Sequence, residues 1–206
     1  MMARPIIIGA TACLLALGCT EPPEKEAHKQ PGKDKPRIAR LDDAPAPARR
    51  ISVAPGQLPA DQFDGRRITS LLNVPKRMNY GDFVWDDQNV PAGDLWIRVD
   101  LAAQIISVFR GGEEIGTAVI MYGGEGKPTP IGQFKVLWRG EKHRSSLYDA
   151  GMPYTLRLTG DGIAIHGASV EERTATNGCV SVPFEFARLL FDQARVGTPV
   201  TILRGA

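Results

Sequence analysis

Leu95-Trp96-Ile97-Arg98-Val99-Asp100 opens the stretch that decides the fold. It is a β run that leads through a turn into a second, Gln104-Ile105-Ile106-Ser107-Val108-Phe109. Gly111-Gly112 then supplies a hairpin turn into Glu114-Ile115-Gly116-Thr117-Ala118-Val119-Ile120-Met121. Apolar residues recur at period two, which suits strands that bury one face. Downstream, Gly132-Gln133-Phe134-Lys135-Val136-Leu137-Trp138 alternates in the same way and predicts one strand. Tyr154 to Leu158, Gly162 to His166 and Pro199 to Leu203 predict three more. One helix interrupts them. Pro183 sits near its first turn, Phe184, Ala187, Leu190, Phe191 and Ala194 share a face, and Gly197 closes it. The pattern predicts a mainly β sandwich or barrel with one or two helices.

Upstream of this core the texture changes. Ile68 to Asn89 carries hydrophobic residues, Phe83 and Trp85 among them, and residues 67–93 read as a pre-domain arm packed on the core. Thr20 to Arg50 is rich in proline and in charges of both signs and holds no aromatic residue. Such a segment cannot bury enough apolar surface to fold, so residues 19–66 read as a disordered tether. Its typical end-to-end reach is ~40 Å by random-coil scaling.

Residues 1–18 read as a signal peptide. Ile6 to Leu17 is an apolar run too short to span ~30 Å of hydrocarbon. It ends at Leu17-Gly18-Cys19, which resembles the lipobox of bacterial lipoproteins, with Ala16 where that motif prefers leucine. The alternative is an ordinary secretory leader. The lipoprotein resemblance implies lipidation of Cys19 and loss of Cys13, leaving Cys179 as the one free thiol in an oxidising compartment. Thr20 stands where aspartate would signal inner-membrane retention. The expected location is therefore the periplasm, anchored by lipid to the outer membrane.

Bulk composition narrows the partners. In 206 residues, 43% are hydrophobic, 23% are charged and the formal charge is +2, with no basic run of the kind nucleic acid requires. Three Cys and three His, without paired ligand spacing, fall short of a zinc site, and no cofactor is implied. No motif bears on oligomeric state.

Two short stretches carry chemistry. Ile165-His166-Gly167-Ala168 ends an apolar strand, and Thr176-Asn177-Gly178-Cys179-Val180-Ser181-Val182-Pro183 leads from a polar turn into the helix. A thiol attacks carbonyls only as thiolate, so Cys179 needs a neighbouring base, and His166 is the best candidate. Gly178 lets the backbone approach a substrate closely, and its amide with that of Cys179 forms a candidate oxyanion site. Read by themselves, a histidine after an apolar run is commonly structural and a buried cysteine commonly inert packing. His143, within Glu141-Lys142-His143-Arg144, reads as a loop residue, either a weaker base or a substrate contact.

The segment from about Asp94 to Leu203 resembles the L,D-transpeptidase catalytic domain (the YkuD-type family). The likeness rests on Trp96-Ile97-Arg98-Val99-Asp100-Leu101, on Pro128-Thr129-Pro130-Ile131-Gly132-Gln133-Phe134, on Ile165-His166-Gly167 and on Thr176-Asn177-Gly178-Cys179-Val180-Ser181. Residues 94–204 are thus expected to form the catalytic domain. Three positions depart from the family pattern: Pro130 stands at a usual threonine, Asn177 at a frequent histidine and Ser181 at the usual arginine. The resemblance implies a peptidoglycan enzyme working through a Cys179 thioester, with His166 as proton donor and acceptor and the Gly167 carbonyl orienting the imidazole. It implies D-Ala release from a stem peptide and a cross-link to an amine on another stem. Water in place of the amine would make it an L,D-carboxypeptidase, and a protein lysine would make it a protein anchor. Asn177, Tyr154, Ser181 and His143 are candidate substrate contacts. Tyr154 equally reads as a core aromatic, and Ser181 as a cap for the helix. A non-catalytic peptidoglycan-binding lipoprotein on the same scaffold is the competing reading. A papain-like peptidase finds no support, because here histidine precedes cysteine and strands surround both.

Overall fold

The computed structural model describes residues 49–55, 57, 65–145, 150–169 and 176–205. The predicted leader, the lipidation site Cys19 and most of the predicted tether lie outside the described residues. No helix among them is long and apolar enough to cross a membrane.

Two mixed sheets and one helix make up the domain. The strands in chain order are β1 (Arg50–Ser52), β2 (Ser70–Leu72), β3 (Phe83–Trp85), β4 (Leu95–Asp100), β5 (Ile105–Arg110) and β6 (Glu113–Val119). β7 (Gly132–Lys135), β8 (Trp138–Arg144), β9 (Gly151–Arg157), β10 (Ala164–Ala168) and β11 (Val180–Pro183) follow, then α1 (Phe184–Gln193) and β12 (Pro199–Leu203). The first sheet runs β1-β2-β6-β5-β4-β12-β7, with β3 also paired to β6. The second runs β11-β10-β9-β8.

The predicted hairpins form as expected: β4 and β5 bury apolar residues on one face, and β6 is buried from Glu114 to Ala118. Ile97, Val99, Ile106, Val108 and Ile115 face one core with Leu156, Ile165, Val180 and Val182 of the second sheet. β12 then enters between β4, to which it runs parallel, and β7, to which it runs antiparallel. Helix α1 packs on β9 and β10. Its fully buried Phe186 meets Phe83 and Trp85 of the first sheet edge-on, at 5.8 and 5.5 Å between ring centroids. The helix thus ties the sheets together.

Four expectations are corrected. The strand predicted over Gly132 to Trp138 is two strands in different sheets. Val136 N donates to Thr198 O on the first sheet, whereas Leu137 N donates to Arg157 O on the second, so the chain crosses between them there. The next strand, β8, carries His143, which is therefore not on a loop. Its sequence Trp-Arg-Gly-Glu-Lys-His-Arg hides no apolar alternation because an edge strand exposed on both faces needs none. In α1 the buried residues are Phe186, Ala187 and Leu190, while Phe184 is 43% exposed; the helix ends at Gln193, and Gly197 (φ 92°) lies in the turn beyond. Finally, Ser181 does not cap the helix. It lies within β11, and the N-cap is Pro183, with no side-chain cap bond.

The arm adds strands rather than only packing against them. β3 pairs with β6 from Phe83–Ala118 to Trp85–Gly116. Within the stretch read as tether, Arg50–Ser52 form β1 on the edge of β2. Arg50 accounts for this, since its guanidinium donates to the carbonyls of Glu114 and Asp86 and stands 3.9 Å from the Glu113 carboxylate.

Candidate active site

The second sheet brings the two chemistry-bearing segments together. β10 and β11 run parallel, with Ile165 beside Val180 and His166 beside Ser181. Cys179 precedes β11 by one residue, so it falls beside Ala164. Side chains two apart share a face of a strand, which sets His166 and Cys179 on the same side, diagonally across one strand pair. His166 and Cys179 are thirteen positions apart in the chain.

Each side chain is held locally. His166 Nδ1 and Gly167 O are 3.0 Å apart, so Nδ1–H donates to that carbonyl and Nε2 is left as the basic nitrogen. Gly167 itself is pressed against the helix: a Cβ there would lie 3.1 Å from Ala187 Cβ and 3.3 Å from Pro153 O. Cys179 is a free, partly buried thiol whose Sγ hydrogen-bonds to Gly162 O at 3.8 Å. The Thr176 hydroxyl donates to Cys179 O and fixes the turn. At Gly178, φ is 92° and a Cβ would stand 2.6 Å from Ile163 Cδ1, so only glycine fits.

The segment after β6 braces this turn. Met121 and Ser181 exchange both backbone hydrogen bonds, at 3.0 and 2.9 Å, and Thr176 N donates to Tyr122 O at 3.0 Å. Gly123 N donates to the buried Thr129 hydroxyl at 2.8 Å, which is the contribution of the Pro128-Thr129-Pro130 turn. A Cβ at Gly123 would come within 2.7 Å of Gly178 Cα. The two glycines therefore let two backbones touch behind the thiol.

Electrostatics hold the resting pair neutral. Burial pushes the Cys179 thiol up, against the pull of the Ala164 amide and the Lys127 charge, while Asp161 adds to the rise. Burial pushes the His166 imidazole down; its bond to Gly167 opposes this and the His143 charge reinforces it. Lys127, Asp161 and Gly162 were not singled out in the sequence. Lys127 reaches the site because its Cγ lies 3.6 Å from where a Gly178 Cβ would be. The polar residues of its loop give no periodic signal that would mark it.

The remaining candidates scatter. His143 acts on His166 through its charge, and its ring meets Trp138 at 5.2 Å. Asn177 is exposed in the turn before the thiol. Ser181 is buried, and its hydroxyl lies 3.4 Å from Tyr80 OH, which brings the arm to the strand beside His166. Tyr154, at φ 56°, sets its ring edge-on to Phe184 and tilted against Phe191 of α1, at 5.2 and 5.7 Å. Among the described residues no three or more His, Cys, Asp or Glu converge as a metal would need.

Fold and site together define a class: a two-sheet β domain with a histidine on one strand and a free cysteine immediately before the parallel neighbouring strand. Residues 94–202 match the YkuD family, the L,D-transpeptidase catalytic domain, and the chain belongs to that family. No curated protein matches it. Among solved structures it is similar to an L,D-transpeptidase from Mycobacterium smegmatis, at 21% identity and a TM-score of 0.50 over 53% of this chain and 58% of that one. An L,D-transpeptidase from Stackebrandtia nassauensis gives 21% and 0.50 over 58% and 61%. L,D-transpeptidase 1 of Mycobacterium tuberculosis gives 23% and 0.49 over 53% and 62%. At these identities the likeness is one of fold, and the chain covers less than two thirds of each of these proteins.

Proposed function

We propose that this chain is an active L,D-transpeptidase of the cell wall, with Cys179 as nucleophile and His166 as its base. The observation that supports the reading is the β10–β11 register, which sets Cys179 and His166 diagonally on one face, together with the Gly167 carbonyl that takes Nδ1 and leaves Nε2 as the basic nitrogen. Nε2 takes the thiol proton, and the thiolate attacks the carbonyl that joins diaminopimelate to the terminal D-Ala of a tetrapeptide stem. The Gly178 and Cys179 amides receive the oxyanion. The C–N bond then breaks, the imidazolium protonates the leaving D-Ala amine, and a thioester remains. An amine of a second stem attacks the thioester, His166 accepts its proton, and Cys179 leaves as thiolate. In this reading Asn177, exposed in the turn before the thiol, borders the substrate, and His143 acts on His166 through its charge. The chain works outside the inner membrane, tethered by a lipid on Cys19 to the outer membrane of a diderm cell.

Cys179→Ala is expected to abolish D-Ala release from purified tetrapeptide muropeptides, with circular dichroism unchanged. An alanine variant as active as the parent would end the proposal.

The second reading, a peptidoglycan-binding domain without catalysis, draws on two observations: Sγ bonds to the Gly162 carbonyl, and burial raises the thiol. Mass analysis of muropeptides incubated with the purified protein separates the two. New cross-links, or D-Ala loss alone for a carboxypeptidase, favour an enzyme; unchanged muropeptides that still bind favour the second reading.

A further inference from the structure

The outer face of the first sheet holds a recess of about 560 Å³, remote in topology from the Cys179 turn on the second sheet. Its floor includes Arg98 of β4, Ser107 of β5, and Glu114 and Thr117 of β6. Their neighbours Ile97, Val99, Ile106, Val108 and Ile115 point into the core, and the register shift at Val108/Phe109 lets Glu114 and Thr117, three positions apart on β6, line the same recess. The arm forms one wall, with Leu71, Leu72, Val74 and Met78 supplying apolar surface and Lys76 and Arg77 supplying charge.

Charge in this recess is unbalanced. Arg98 Nε is buried with no hydrogen-bond partner, an uncommon state for a donor that has left water. Among the described residues, no salt bridge reaches Arg98, Lys76 or Arg77. The two acids nearby are otherwise engaged. Asp100 Oδ1 accepts from the amides of Ala102, Ala103 and Gly205 at 2.9, 3.0 and 3.1 Å. Glu114 Oε2 accepts from Leu72 N at 2.7 Å, and burial raises this carboxyl towards its neutral form. Three cations thus face an apolar wall and outnumber the two carboxylates, Asp100 and Glu114, both of which are turned to backbone amides rather than to the cations.

We propose that this recess binds a small organic anion, a carboxylate or phosphate carried on an apolar body. Arg98 receives the anionic group with its fork of donors, Lys76 and Arg77 close over it, and the Leu72, Val74 and Met78 side chains take the body. The site is independent of the transferase reading, so Cys179→Ala binds as the parent does.

The test is calorimetric titration of the full chain with octanoate, octyl phosphate and octanol. Saturable binding of at least one of the two anions, with none for octanol, is the expected result. Arg98→Leu is expected to weaken it about tenfold or more, the size of a lost charge-assisted hydrogen bond. Should that variant fail to fold, the exposed pair Lys76→Ala and Arg77→Ala is expected to weaken binding several-fold with the fold intact. No saturable binding of either anion, equal affinity for octanol, or affinity unchanged in every folded variant would overturn the proposal.

Discussion

Cys179 and His166 rest as neutral partners because burial penalises both charged forms, and the local charges then tune the thiol in opposite directions. The sign of each effect can be measured. Alkylation by iodoacetamide follows the thiolate, so its rate is expected to climb with pH towards a midpoint above the ordinary thiol value of about 8.5. Lys127→Ala removes a favourable cation, so it is expected to raise that midpoint and slow alkylation at fixed pH. Asp161→Asn removes an unfavourable anion and is expected to do the reverse. For turnover, His166 serves as base only when unprotonated. The acid limb of kcat/KM is therefore expected below the ordinary imidazole value of 6.5, because the folded protein depresses it. An acid limb above that value would contradict the burial of the ring. Cys179, His166 and the glycine between turn and thiol were legible as a pattern of residue types, and Gly167 through the family resemblance. Lys127 and Asp161 were not legible, because their influence crosses between loops that nothing in local sequence aligns.

Strands whose sequence alternates were legible to within a residue or two, as in Leu95–Asp100 and Pro199–Leu203. β8 was not, because polar residues on an exposed edge carry no period, and its absence from the reading misplaced His143. The helix face was misjudged because Phe184 and Phe186 are both apolar, and only the packing on Phe83 and Trp85 decides which is buried. β6 holds a different surprise in Glu114, a 4% exposed carboxyl inside a strand. Burial raises it above its ordinary value of 4.5, with Ser107, the Leu72 amide and Arg50 opposing. Between the ordinary and the raised value, the folded chain keeps a proton that the unfolded chain releases. Stability therefore falls as pH rises through that window. Glu114→Gln keeps an acceptor for Leu72 N without the charge. It is expected to flatten this dependence and lift Tm by a few degrees near neutrality, as read by thermal melts at several pH values. A lower Tm for glutamine across the whole range would show that the charge stabilises.

The domain as a whole depends on few joints between its sheets. Phe186 is one, fully buried and in contact with Phe83 and Trp85, and Phe186→Ala is expected to cost about 3–5 kcal/mol in denaturant unfolding. Because one core serves both sheets, tryptophan fluorescence and far-ultraviolet dichroism should shift together in that variant; separate transitions would mean that the sheets unfold independently. The placement of β12 has a consequence for the order of folding. It fills the slot between β4 and β7, both of which lie far upstream of it in the chain. Until that distant segment docks, β7 has no plank to join it to the rest of the larger sheet, so closure of this edge waits on long-range pairing.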